Sequence, residues 1–150
     1  MSLIRGLSFF GLCFAFVVIA LGAWTRLVDA GLGCPDWPGC YGFVVFPTTE
    51  AEILIAEQRY PQFPYEIDKA IPEVVNRYFA AALGFIAILL VVFSHKHKLP
   101  TRIKAIASFL LFFICCQGLF GYLTVSLKLL PIIVTGHLFG GFVTLSLFFY

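Results

Sequence analysis

Charged residues are scarce in this chain of 150 residues, because Asp, Glu, Lys and Arg together make up only 12% of it. A soluble domain usually carries about 25% charged residues, so this scarcity excludes an ordinary water-soluble globule. A disordered chain is excluded as well, since disorder requires low hydrophobicity and 61% of this sequence is hydrophobic. The net charge of +2 and the dispersed basic residues also exclude a nucleic-acid-binding protein.

Long apolar runs dominate the sequence instead. A membrane-spanning helix needs about 20 apolar residues, and helices are the structure that an isolated span adopts in lipid. We therefore predict an all-α integral membrane protein, a single four-helix domain over residues 1–150 with a long loop at 27–72. A cleaved signal peptide is the alternative for the first run, but Leu21 stands where cleavage needs a small residue. The predicted spans cover about residues 7–26, 73–94, 105–125 and 132–150.

The few charged residues are distributed unevenly along the chain. All eight acidic residues follow the first span, from Asp29 to Glu73. Because basic loops stay in the cytoplasm, we expect a multi-pass protein of the cytoplasmic (inner) membrane. Its N-terminus would then be cytoplasmic and the 27–72 loop extracytoplasmic. The loop between spans two and three is basic and carries Lys96, Lys98, Arg102 and Lys104.

Capping and proline signals predict where several helices begin. Thr49 and Glu52 match a capping box, which predicts a short amphipathic helix in the outer loop that ends near Tyr60. Pro72 and Pro131 suit the first turns of spans two and four. The predicted face of the short helix comprises Ala51, Leu54, Ile55 and Gln58.

The five cysteines divide by environment. Cys34 and Cys40 lie in the outer loop with two prolines between them, and an oxidising compartment permits a disulfide there. A disulfide is the favoured interpretation. A redox-active pair and a metal site are alternatives, although two thiols without a loop histidine make a poor zinc site. The others lie in predicted spans, where cysteine acts as a small hydrophobe: Cys13, Cys115 and Cys116.

Polar residues at membrane depth are few, and such residues are functional candidates by default. Glu73, Asn76 and Arg77 open span two on one helical face. His137 lies in the outer half of span four, where it could bind a metal or haem. A histidine hydrogen-bonded across the bundle without a cofactor is the alternative. Glycines that would let a flat ring approach the backbone are Gly118, Gly121, Gly136, Gly140 and Gly141.

The stretch WTRLVDAGLGCPDWPGCYG, from Trp24 to Gly42, resembles the first outer loop of the haem A synthase family. The resemblance covers essentially the whole chain and implies the N-terminal four-helix half of an eight-span family. Members oxidise the C8 methyl of haem O to the formyl group of haem A for cytochrome oxidase. Three further stretches agree in order and spacing: 73–78, 117–125 and 137–138.

The resemblance implies a role for each motif residue. Glu73 corresponds to an acidic catalytic residue near the haem periphery, and His137 to a ligand of haem iron. The loop cysteines correspond to a disulfide, and Asn76 and Arg77 fall where the family contacts the cofactor. Haem O is the implied substrate, and haem b is held by the family's C-terminal half.

Asn76 departs from the family pattern, which has a histidine at this position. An amide oxygen is a poor ligand for haem iron and cannot act as a base near neutral pH. A haem in this half would therefore be five-coordinate through His137 or bound by contacts alone. We also expect either a fragment or a chain that pairs with a C-terminal half or a second copy of itself. Membrane lipid, haem O synthase and the cytochrome oxidase assembly machinery are further expected partners.

Three functions follow from these observations. The favoured one is a haem A synthase-type membrane oxidoreductase. A non-catalytic haem-binding membrane module or cytochrome oxidase assembly factor is the second, and Asn76 favours it. A structural four-helix protein without haem is the third, and the intact cysteine loop argues against it.

Overall fold

The computed structural model describes residues 2–149, and within them it contains five α-helices and no β-strand. Four of the helices are long and apolar enough to cross a membrane. The predicted all-α fold with four spans is therefore confirmed. The helices are α1 (Ser2–Leu27), α2 (Glu50–Arg59), α3 (Ile67–Lys96), α4 (Thr101–Ser126) and α5 (Pro131–Phe149).

The four long helices pack as a ring. Helix α1 contacts α3 and α5, and α4 contacts the same two helices. In the described part of the chain, no Cα atoms of α1 and α4, or of α3 and α5, come within 8 Å of each other, so these pairs are the two diagonals of the ring. The membrane core lies in the half of the ring that includes the α3–α4 turn. Its buried residues are Ala15, Leu83, Ile86, Ala87, Leu90, Ala107, Leu110 and Phe148.

Helix α3 is longer than the predicted span, because it begins at Ile67 rather than at residue 73. Pro72 therefore lies inside the helix, and the prediction that it occupies the first turn was wrong. Proline lacks an N–H group and leaves one carbonyl of the preceding turn without its helical partner. Separately, the Thr25 hydroxyl of α1, which donates to the Leu21 carbonyl of its own helix at 2.8 Å, lies 3.3 Å from the Pro72 carbonyl and brings the two helices together here. Pro131 begins α5, as predicted.

Residues 28–66 join α1 to α3 and contain α2. We call them the outer segment, after the extracytoplasmic location predicted for them from the charges. The capping box is confirmed, since the Thr49 hydroxyl accepts from the Glu52 N–H and the Glu52 carboxylate accepts from the Thr49 N–H at 3.0 Å. Backbone N–H groups of Thr48 and Thr49 lower the pKa of Glu52. Ala56 is the buried residue of α2, whereas Leu54 and Ile55 of the predicted apolar face are 59% and 48% exposed.

A second, aromatic core covers Ala56 of α2. Tyr41 is buried and packs edge-on against Tyr60 and Tyr65, with ring centroids 5.8 and 5.3 Å away. Its hydroxyl donates to the Pro64 carbonyl at 3.0 Å. Burial, and then the charge of Glu66, raise the pKa of Tyr41 to about 12. The cluster includes the buried Cys34, Cys40, Ala56, Ala70 and Val74, so it joins the outer segment to α3.

Candidate functional site

The cysteine loop is closed by the predicted Cys34–Cys40 disulfide, which the structure confirms. Asp36 closes it a second time, because its two carboxylate oxygens accept from the N–H groups of Tyr41 and Gly42 at 2.6 and 2.8 Å. Gly42 has φ +79°, a conformation that glycine adopts without steric cost. Asp36 was not predicted as a site residue, although an aspartate in a short loop is a turn signal.

Glu73 and Arg77 attach this loop to α3. One oxygen of the Glu73 carboxylate accepts from the Cys34 N–H at 2.9 Å, and the other forms an ion pair with the Arg77 guanidinium. Only 7% of the Glu73 side chain and 14% of the Arg77 side chain are exposed. We call these two residues, with the loop backbone that they bind, the loop clamp.

The guanidinium of Arg77 does more than neutralise Glu73. Its second terminal nitrogen donates to the backbone carbonyls of Asp36, Pro38 and Gly39. A planar fork of donors suits such a set of carbonyls better than a lysine ammonium would. Arg77 was predicted as a cofactor contact, and the structure places its side chain on the cysteine loop.

Asn76 and His137 lie deeper in the ring, and each faces a glycine. The Asn76 carboxamide oxygen and nitrogen are 3.6 and 3.7 Å from the position that a Cβ atom on Gly22 would take. The His137 ring is 3.8 Å from the corresponding position on Gly121. Among residues 2–149, the buried Asn76 Oδ1 and His137 Nδ1 atoms have no hydrogen-bond partner.

The antiparallel register of the helices places His137 at the same depth as Gly22. Gly141 of α5 faces Ile19 of α1. Neighbouring spans run in opposite directions. The step backward along α5 from Gly141 to His137 therefore matches an equal step forward along α1 from Ile19. That step ends beside Gly22.

The same comparison places Asn76 at the level of Gly121 in α4. Gly84 of α3 faces Ile114 of α4, and an equal step along both helices leads from this pair to Asn76 and to the neighbourhood of Gly121. All four residues therefore share one level, which we call the Asn–His layer. It contains the two glycines on one diagonal of the ring, and Asn76 and His137 on the other.

The remaining predicted glycines have other neighbours. A Cβ atom on Gly140 would collide with the Gln117 side chain, and one on Gly136 would lie 3.3 Å from the Phe120 ring. These positions are filled by side chains of α4. Gly22 was not predicted, although a glycine inside an apolar run signals close approach of another group. The sequence gives no sign that this group is Asn76.

The donor set fits a haem and not an isolated metal ion. Within the described residues, no group of three or more His, Cys, Asp or Glu side chains could hold a metal ion. A haem needs fewer protein ligands, because its porphyrin provides four nitrogens and a single histidine suffices. His137 offers an unpartnered imidazole nitrogen of this kind.

A cavity of about 240 Å³ lies elsewhere, between the outer segment and the start of α3. Tyr41, Lys69 and Leu129 are among the residues that line it, and none of the layer residues does. The cavity is therefore separate from the candidate site.

Comparison with known proteins decides the family. Residues 5–150 match the profile of a family described as cytochrome oxidase assembly protein. This chain belongs to the cytochrome oxidase assembly protein family. A heme A synthase from Shewanella oneidensis is 44% identical over 136 residues, which cover 91% of this chain and 41% of that protein. No solved structure matches the chain.

The predicted resemblance to the N-terminal half of the haem A synthase family is thereby confirmed. The chain spans about two fifths of the length of the curated relative that it matches. In this cytochrome oxidase assembly family member, Glu73 and Arg77 meet the cysteine loop, while Asn76 and His137 share a level inside the ring.

Proposed function

We propose that this chain is the haem O-binding part of a haem A synthase-type membrane oxidoreductase, which converts haem O to haem A for cytochrome oxidase. The observation that carries the proposal is the buried, unpartnered imidazole nitrogen of His137 beside a glycine, in a chain of this family. The relative named heme A synthase supports the substrate.

His137 would hold the iron from α5, and Asn76, Gly22 and Gly121 would contact the porphyrin. When bound, the haem and its redox partner supply the oxidising chemistry, while the protein supplies binding and electrostatics. Glu73 lies one helical turn from Asn76 on α3, so its carboxylate stands at the edge of the layer. Each carboxylate oxygen has a further lone pair, so Glu73 can orient a polar group or hold a proton while it keeps its contacts with Cys34 and Arg77.

Arg77 serves this proposal as a positioning residue. Its guanidinium fixes both the Glu73 carboxylate and the cysteine loop above the layer. Its predicted role in haem binding would then be exerted through the loop that it holds.

We further propose the inner membrane as the location, with the N-terminus in the cytoplasm and the outer segment outside. The basic α3–α4 turn supports this orientation, and the disulfide suits an oxidising compartment. A C-terminal half, in the same polypeptide or another, would hold haem b. A second copy of this chain, haem O synthase and the cytochrome oxidase assembly machinery are further proposed partners.

The second candidate function is a non-catalytic haem-binding assembly factor. Asn76 favours it, because the family pattern has a histidine there and an amide cannot replace an imidazole as ligand or base.

Extraction of haems from cells tests the enzyme directly. The chain is expressed, together with a C-terminal half, in a strain that lacks haem A synthase. We expect haem A in the extract, and haem O alone when Glu73→Gln or His137→Ala replaces the wild type. Haem O alone with the wild type, together with a Soret band in the purified protein, would support the assembly factor instead.

A further inference from the structure

We propose that a groove between α1 and α5 binds an anionic phospholipid, with an acyl chain in the groove and the phosphate at Arg5. The groove has a volume of about 240 Å³, and we call it the α1–α5 groove. It is lined by Leu12 of α1 and by Leu145, Ser146 and Phe149 of α5. None of these residues belongs to the Asn–His layer, so lipid binding here does not depend on haem.

The α1–α5 groove lies in the half of the bundle where α1 begins. Gly11 of α1 packs closely on the Phe148 ring of α5, because a Cβ atom on this glycine would collide with that ring. This contact joins the two helices directly beside the groove. His137 precedes Leu145 by eight residues on α5, which corresponds to about 12 Å along the helix. The groove is therefore well separated from the Asn–His layer.

The lining of the groove suits an alkyl chain. Three of its four residues are Leu or Phe. The fourth, Ser146, already donates its hydroxyl proton to the Phe142 carbonyl at 2.9 Å, so it has no proton left for a ligand. Ser146 and Phe149 are exposed, so the groove opens on the outside of the bundle. In helices that cross a membrane, that surface meets acyl chains.

Arg5 provides a positive charge at the depth of a phosphate group. It precedes Leu12 by seven residues, so both residues lie on the same face of α1, about 10 Å apart along its axis. The headgroup region covers about 5–7 Å on each side of the hydrocarbon core, and a chain in the groove therefore places its phosphate near Arg5. This side chain is exposed, and no ion pair within residues 2–149 includes it.

The charges at this end of the bundle favour an anionic headgroup over a zwitterionic one. Every Asp and Glu lies between Asp29 and Glu73, toward the opposite ends of α1 and α3. The α3–α4 turn lies at the same end as Arg5 and is purely basic. Clusters of basic residues beside a span attract anionic lipids, and this turn carries Lys96, Lys98, Arg102 and Lys104.

Native mass spectrometry of the full chain, reconstituted with equal amounts of phosphatidylglycerol and phosphatidylcholine, tests the proposal. We expect one phosphatidylglycerol to remain bound to each wild-type chain. Ser146→Trp should lower the bound fraction by about tenfold or more, because the indole displaces several methylene groups from the groove. Val92→Trp is the matched control and should retain the lipid. Val92 is 49% exposed and lies about one turn before the end of α3, as Ser146 does in α5.

A second pair of variants tests the headgroup and keeps the proposal falsifiable if Ser146→Trp does not fold. Arg5→Gln should weaken phosphatidylglycerol binding about fivefold and leave phosphatidylcholine binding unchanged, as expected for one basic residue at the membrane surface. Lys98→Gln removes a charge at the same end but outside α1, and it should leave the binding of both lipids unchanged. Glycerol phosphate, which has no acyl chain, should not displace the bound lipid.

Several outcomes would overturn the proposal. Equal retention of the two lipids by the wild type would exclude an anionic site, and unchanged retention in Ser146→Trp would exclude the groove. Equal losses in Ser146→Trp and Val92→Trp would mean that the lipid belongs to the general surface of the bundle. A dimer that Ser146→Trp dissociates would show that a second copy of the chain, and not a lipid, occupies the groove.

Discussion

Glu73 and Arg77 carry opposite charges that are almost completely buried where the outer segment meets α3. Removing one partner of a buried pair leaves the other charge uncompensated and costs about 3–5 kcal/mol. We therefore expect Arg77→Met to lower the free energy of unfolding by about 3 kcal/mol, measured by thermal or denaturant unfolding in detergent.

An exposed ion pair in the same chain is the control for this prediction. Arg26 and Asp29 are 3.9 Å apart with side chains 54% and 84% exposed, and such pairs contribute little. Arg26→Met should therefore change the free energy of unfolding by less than about 0.5 kcal/mol. A loss for Arg77→Met as small as the loss for Arg26→Met would show that the loop clamp does not stabilise the protein.

Tyr41 makes the stability of the outer segment depend on alkaline pH. Burial raises the pKa of Tyr41 to about 12, whereas an unfolded tyrosine titrates near 10. The folded state therefore keeps the proton longer. The stabilisation is complete below pH 10 and is lost as the pH rises through about 12.

We expect the wild type to lose on the order of 2 kcal/mol between these pH values relative to Tyr41→Phe. Unfolding of both proteins across this range measures the difference. Parallel pH profiles for the two proteins would contradict the assignment.

Gly33 sets how closely the outer segment approaches the first turn of α3. A Cβ atom at this position would collide with the backbone of Lys69 and Ala70. Backbone atoms in a helix cannot move aside as a flexible side chain can, so Gly33→Ala should destabilise the protein by about 1–3 kcal/mol. Unfolding in detergent measures this loss.

Gly118→Ala is the matched substitution in α4, since nothing lies within 4 Å of that glycine. Alanine favours a helix over glycine by about 1 kcal/mol, so this variant should be at least as stable as the wild type. A comparable loss in both variants would mean that helix packing, and not the contact with α3, explains the result at Gly33.

Individual elements differ in how far the sequence predicts them. Helix α2 and the start of α5 follow from local signals, the capping box at Thr49 and the proline at position 131. The start of α3 does not, because Pro72 can lie inside a helix whose preceding turns are held by the outer segment. The buried face of α2 also depends on the aromatic cluster around Tyr41, which no local pattern of α2 reveals.

At the scale of the whole molecule, the sequence predicts the number of spans better than it predicts which residues of different spans contact each other. Hydropathy suffices for the four spans, and the rarity of polar residues at membrane depth indicated Glu73, Asn76 and His137. That Asn76 faces Gly22, and that Arg77 reaches across to the Gly39 carbonyl, depends on helix register and on contacts distant in sequence. These could not be predicted from residue patterns along one helix.

The orientation in the membrane gives a prediction for the whole chain. Cysteines are introduced singly at Glu57 and at Lys98, both exposed, in a chain whose three free cysteines are replaced with alanine. In intact cells, a membrane-impermeant maleimide should label Glu57→Cys, and should label Lys98→Cys only after the membrane is opened. The opposite pattern would reverse the proposed topology.

The loop clamp also bears on the order in which the protein assembles during synthesis. Cys34 and Glu73 are 39 residues apart, and every residue of the clamp lies at or before Arg77. The ribosome therefore delivers the whole clamp before it begins α4. Helices α1 and α3 and the outer segment can therefore assemble first, held together by the loop clamp. Helices α4 and α5, the second of which carries His137, then pack against them.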